Sequence, residues 1–88
     1  METVYADKLY EFLTEMIATA QSQRDQEAVR RLDVARKHYM IPLTSEFLGE
    51  SMVALREVLD MSRSLFTPEQ ASQANEYMVA IEQQWFSR

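Results

Sequence analysis

The stretch Arg30-Arg31-Leu32-Asp33-Val34-Ala35-Arg36-Lys37-His38 gathers four basic side chains and the only histidine of an 88-residue chain whose net charge is −5. Two chemistries could use such a cluster. One is recognition of an anion, a phosphate backbone or an acidic partner, which requires the cations to converge on one side without acids between them. The other is the ordinary solvated face of a helix. On a helical wheel the cations do not converge: Lys37 and Arg30 share one flank, Arg31 and His38 lie about 100° away, and Glu27 falls between the pairs. The spacings Glu27 to Arg30, Glu27 to Arg31 and Asp33 to Lys37 are those of helix-stabilising pairs, each worth about 0.2–0.5 kcal/mol. Lys37 and His38 also complement the negative end of a helix dipole. The solvated face is the preferred reading, and an anion site formed by Arg30, Arg31, Lys37 and His38 is the alternative.

Arg36 stands apart, because it falls within the apolar stripe between Val29, Leu32 and Met40. Its methylene stem can cover the edge of the core while the guanidinium reaches water. The sharper expectation is an ion pair with an acid of another helix, Glu50 or Asp60.

Other catalytic chemistry lacks its residues. One histidine cannot supply the paired Glu-x-x-His motifs of a di-iron bundle, and no carboxylate spacing recommends a zinc site around His38. A phosphotransfer histidine would stand exposed in mid-helix, whereas His38 closes a helix shortly before Pro42. The chain has no cysteine, hence no disulfide, thiolate metal site or cysteine nucleophile. Its single glycine, Gly49, cannot build a phosphate-cradling loop. The carboxylate pairs Glu11/Glu15 and Glu46/Glu50 sit four residues apart on solvated faces, where general acid–base work would want them desolvated. No enzymatic activity, cofactor or metal is expected.

The elements that position these residues are helices. One glycine and two prolines are too few for the turns of a β-rich fold of this size. Four amphipathic segments are predicted, over about 3–21, 25–40, 45–64 and 68–87, packed as one compact antiparallel all-α bundle spanning residues 1–88. The first buries Tyr5, Leu9, Tyr10, Phe12, Leu13, Met16, Ile17 and Ala20. The second starts after an Asp25 N-cap and buries Ala28, Leu32, Ala35 and Tyr39. Pro42 disfavours helix at Ile41, so a break follows, with a single helix kinked at Pro42 as the alternative. Thr44 can cap the third segment, whose apolar face is the widest: Phe47, Leu48, Met52, Ala54, Leu55, Val58, Leu59, Met61 and Leu65, with Ser51 and Ser62 inside it. The stretch "FTPEQ" is a strong helix start, with Thr67 as N-cap, Pro68 in the first turn and Gln70 completing a capping box. Ala71, Ala74, Met78, Ile81 and Trp85 then form a seam of 3-4 spacing.

Two features fit a self-contained bundle less well. Val79 and Phe86, seven residues apart, project together off the seam of the fourth helix, and Trp85 beside Phe86 belongs to the residue class enriched at binding hot spots. The six methionines read mostly as core, but Met40 beside Tyr39 could line a partner surface. The width of the third helix adds a face that dimerisation could cover.

The preferred functional reading is a noncatalytic protein-interaction module, a small regulator, adaptor or chaperone-like protein. It would pack an apolar helix face against a protein partner or a second copy of itself as a homodimer, through Val79, Trp85, Phe86, Tyr39 and Met40. One alternative is a nucleic-acid-binding regulator using residues 30–38 as a dimer; a pI near 4.8 makes nucleic acid an unlikely partner. The other is a ligand-binding or enzyme subunit with its site at an oligomer interface. The opening "METVYADKLY" lacks a basic and an apolar region, so no secretory signal is expected. No apolar run approaches the ~18 residues of a membrane span. A cytoplasmic location is the expectation.

Overall fold

The computed structural model describes the backbone of residues 2–40 and 44–86 and the side chains of residues 6–39 and 46–83. Within them the chain forms four helices and no strand: α1 (Glu2–Ser22), α2 (Gln26–Lys37), α3 (Thr44–Met61) and α4 (Pro68–Phe86). Short 3-10 turns at His38–Met40 and Arg63–Leu65 follow α2 and α3. The assembly is an elongated all-α bundle of 37 × 24 × 18 Å.

Each boundary has a local cause. α1 ends in a Schellman arrangement: the Arg24 N–H donates to the Gln21 carbonyl at 3.1 Å and the Asp25 N–H to the Ala20 carbonyl at 2.9 Å. The residue at the left-handed position is Arg24, with φ 60°, where glycine would meet no steric penalty. Asp25 closes one helix and opens the next, since its Oδ1 accepts the Ala28 N–H at 3.1 Å. Its Oδ2 accepts the Ser62 hydroxyl at 2.6 Å, which ties the α1–α2 turn to the end of α3. The expected capping box opens α4. The Gln70 N–H donates to the Thr67 Oγ1 and the Thr67 N–H to the Gln70 Oε1, both at 3.1 Å.

Successive helices run antiparallel. Tyr39 packs on Tyr10 of α1, at 4.5 Å between centroids, and on Phe47 of α3 at 5.3 Å. Midway along the hairpin, Arg31 of α2 reaches Glu57 of α3. A single helix kinked at Pro42 could not bring residues 31 and 57 together, so that alternative falls; Ile41, Pro42 and Leu43 themselves lie outside the described residues, as do the side chains of Tyr5 and Thr44.

The core follows the predicted stripes. Leu9, Leu13, Met16, Leu32, Leu55, Val58 and Ile81 have no accessible surface to within 1%. Ala6 and Phe66, which the stripes did not single out, are also buried. Three expectations need correction. α3 stops at Met61 rather than Ser64, because the Ser62 backbone leaves the helix at φ −137°, and Leu65 reaches the core from the 3-10 turn that follows. Met61 therefore lies at a helix end and is 46% exposed, not core. The broad face of α3 is satisfied within one chain: Phe47, Leu48, Met52, Ala54, Leu55, Val58 and Leu59 are all buried among the other helices. The hydroxyl of Ser51, fully buried on that face, has no hydrogen-bond partner among the described residues.

Candidate functional site

The basic stretch is a latticework of local ion pairs. Glu27 receives both Arg30 and Arg31, three and four residues on, and Arg31 also bridges to Glu57 of α3. Asp33 receives Arg36 at 2.9 Å and Lys37 at 3.5 Å. Arg30, foremost among these partners, holds the Glu27 carboxyl below its ordinary value, and Glu57 raises the already high value of Arg31. The helix spacing had predicted the Glu27 and Asp33 pairs. It had not predicted Arg36, whose sharper expectation was Glu50 or Asp60. Arg36 instead pairs with Asp33 of its own helix and donates to the Thr14 hydroxyl of α1 at 3.3 Å. The reason is geometric: Arg36 sits on the side of α2 that faces α1, not α3.

His38 Nδ1 lies 3.0 Å from the Val34 carbonyl oxygen, to which it can donate as Nδ1–H. No group of three or more His, Cys, Asp or Glu side chains among the described residues could hold a metal ion. Tyr39 is engaged within the bundle, through its rings of contact with Tyr10 and Phe47 and through its hydroxyl, which donates to Asp7. Tyr39, expected on a partner surface, is half-buried and packs at the edge of the core. The side chains of Met40, Trp85 and Phe86 lie outside the described residues.

Val79 is the most exposed of the large apolar side chains described, at 53%. It lies in a shallow open groove along the outer face of α4, with Ser72, Asn75 and Gln83 in line and Arg63 at one end. Ala71, Ser72 and Ala80 are the small residues of this groove, and Ala74 and Ile81 are the buried positions on the inner side of α4. The inner side of α4 reaches α1 through Tyr77, whose ring packs on Phe12 at 5.4 Å, and through Gln70, which donates to Glu15 at 3.0 Å. Burial, then the charges of Glu11 and Glu76, push the Tyr77 phenol above its ordinary value.

A second apolar pair went unnoticed in the sequence. Val34 of α2 and Val53 of α3 are 43% and 44% exposed and line one shallow groove between Arg30 and Arg31 on one side and Glu50 and Glu57 on the other. Each valine alone is unremarkable on a surface. Only the antiparallel register brings the two to the same level, and the single-helix patterns carry no signal for that.

The chain matches no protein-family model, no curated protein and no solved structure. No described helix is long and apolar enough to cross a membrane.

Proposed function

We propose that the protein is a noncatalytic protein-interaction module, a small regulator or adaptor that offers the outer face of α4 to a helix of a partner protein. The observation behind this reading is the shallow groove around Val79, which has the small residues Ala71, Ser72 and Ala80 along it, on a helix whose other side already packs on the bundle. Small side chains let another helix approach closely, and a helix laid in such a groove would cover Val79 with its own apolar side chains. A cytoplasmic location goes with this reading, and the absence of cysteine is compatible with it.

The nucleic-acid reading of residues 30–38 draws little support from the ion pairs, because Arg30, Arg31, Arg36 and Lys37 each have a carboxylate neighbour. A phosphate would have to compete with Glu27 and Asp33 for them.

The test is Val79→Asp. As a surface substitution it should change folding stability by no more than about 0.5 kcal/mol, with the helical circular dichroism unchanged. The complex recovered from source cells on the tagged chain should lose its partner. Recovery of the same partner by the variant would overturn the reading.

A further inference from the structure

We propose that the outer face of the α2–α3 hairpin is a weak two-fold interface at which two copies of this chain associate, leaving both α4 grooves free. This goes beyond docking at α4 and does not depend on it.

The face has an apolar centre and a polar rim of divided sign. Val34 and Val53 form the centre. On the α2 side stand Arg30, Arg31 and Lys37, with Glu27 and Asp33 as the acids among them. On the α3 side stand Glu46, Glu50, Glu57 and Asp60, with Arg56 as the cation among them. One half is thus net positive and the other net negative, within a chain of net charge −5 whose bulk charge would otherwise oppose self-association.

The register makes the pattern self-complementary. Arg31 meets Glu57 and Tyr39 meets Phe47, so α2 and α3 residues at one level have numbers adding to between 86 and 88. By that rule Val34 lies level with Val53, Arg30 with Glu57, and Lys37 with Glu50. A two-fold axis lying in the interface and parallel to the helices keeps every level unchanged while exchanging left for right. It therefore sets α2 of one copy over α3 of the other. Val34 then faces the other copy's Val53 and the reverse, and each basic row lies over an acidic row. A two-fold axis across the helices would set like rows together, so charge selects one arrangement of the two. Two valines per copy make a small apolar centre, which implies a dimer that forms and dissociates with concentration.

The experiment is sedimentation velocity across a concentration series on the full chain and on two charge reversals, Lys37→Glu and Glu50→Lys. Each reversal alone sets like charges against each other twice across the two-fold axis, and should weaken self-association by about tenfold or more. Mixed in equal amounts, the two variants present opposite charges at both paired levels, and a heterodimer should reappear. Lys8→Glu, which makes the same change in net charge as Lys37→Glu but on α1, should dimerise as the unmodified chain does. The proposal is overturned if the unmodified chain stays monomeric at millimolar concentration, if the single reversals dimerise normally, or if their mixture remains monomeric. It is also overturned if Val79→Asp dissolves the dimer, since α4 would then be the interface.

Discussion

The α2–α3 hairpin and α4 rest on the same core but are secured differently. The hairpin is fixed along its length. Buried Ala28, Leu32 and Ala35 lie beneath it, the Asp25–Ser62 bond ties one end, the Arg31–Glu57 pair crosses the middle, and the Tyr10–Tyr39–Phe47 ring stack closes the other end. α4 buries only Ala74 and Ile81 among its described residues, with Ala71, Tyr77 and Met78 packed partly against the core. The difference teaches where each region can meet a partner. The hairpin has the cations of α2 already beside carboxylates and is left with a shallow apolar centre. α4 is anchored on one side by few contacts and presents a continuous groove on the other.

The largest effects should come from the two anchors. Leu32→Ala and Ile81→Ala each remove a fully buried aliphatic side chain and should cost about 2–5 kcal/mol. Their consequences should differ in place. Leu32→Ala should speed amide hydrogen exchange throughout 2–61, whereas Ile81→Ala should speed it mainly in 68–86, where local opening becomes easier than global unfolding. Equal acceleration of both segments in both variants would erase the distinction between a secured hairpin and a lightly held α4.

Smaller effects belong to the two tight connections, and they should have opposite sign. Arg24 holds a left-handed conformation that costs a residue with a Cβ about 1–2 kcal/mol, so Arg24→Gly should raise the thermal midpoint despite the greater freedom of the unfolded chain. Thr67→Ala removes one arm of the capping box and should lower stability by about 1 kcal/mol. Thermal unfolding followed by circular dichroism reads both changes. A fall in the midpoint for Arg24→Gly would mean that contacts of the arginine side chain outweigh the backbone penalty.

The smallest effect is a pH dependence confined to the hairpin side. The Ser62 hydroxyl, foremost, and the Ala28 N–H hold the Asp25 carboxyl below its ordinary value, and Arg30 does the same for Glu27. A carboxyl whose folded value is depressed contributes stability above its unfolded value, and that contribution is lost as pH falls through the folded value. Stability should therefore decline as pH drops below about 4. Asp25→Asn should flatten part of the decline while keeping a competent N-cap. An unchanged slope in that variant would remove Asp25 from the account.

Much of this architecture was legible in the sequence because local physics dictates it. The Thr67–Gln70 box, the Asp25 cap and the Glu27 and Asp33 pairs all follow from spacing within one helix. Arg36 and Met61 were misread because their surroundings depend on which neighbour occupies each side of a helix and on where the helix ends. The Val34–Val53 pair was invisible for the same reason, since its two members sit on different helices and meet only through the register of the hairpin. Val79 could be named in advance because its departure from the α4 seam is a property of one helix. The groove around it could not, because Arg63 joins it from the preceding turn.

The most direct measurement is site-specific photo-crosslinking in source cells, with the photoreactive residue placed in turn at Val79, at Val34 and, as a control, at Glu11 on the exposed side of α1. The account predicts an adduct to another protein from Val79, an adduct to a second copy of this chain from Val34, and neither from Glu11. No adduct from Val79, or the same adduct pattern from all three positions, would contradict it.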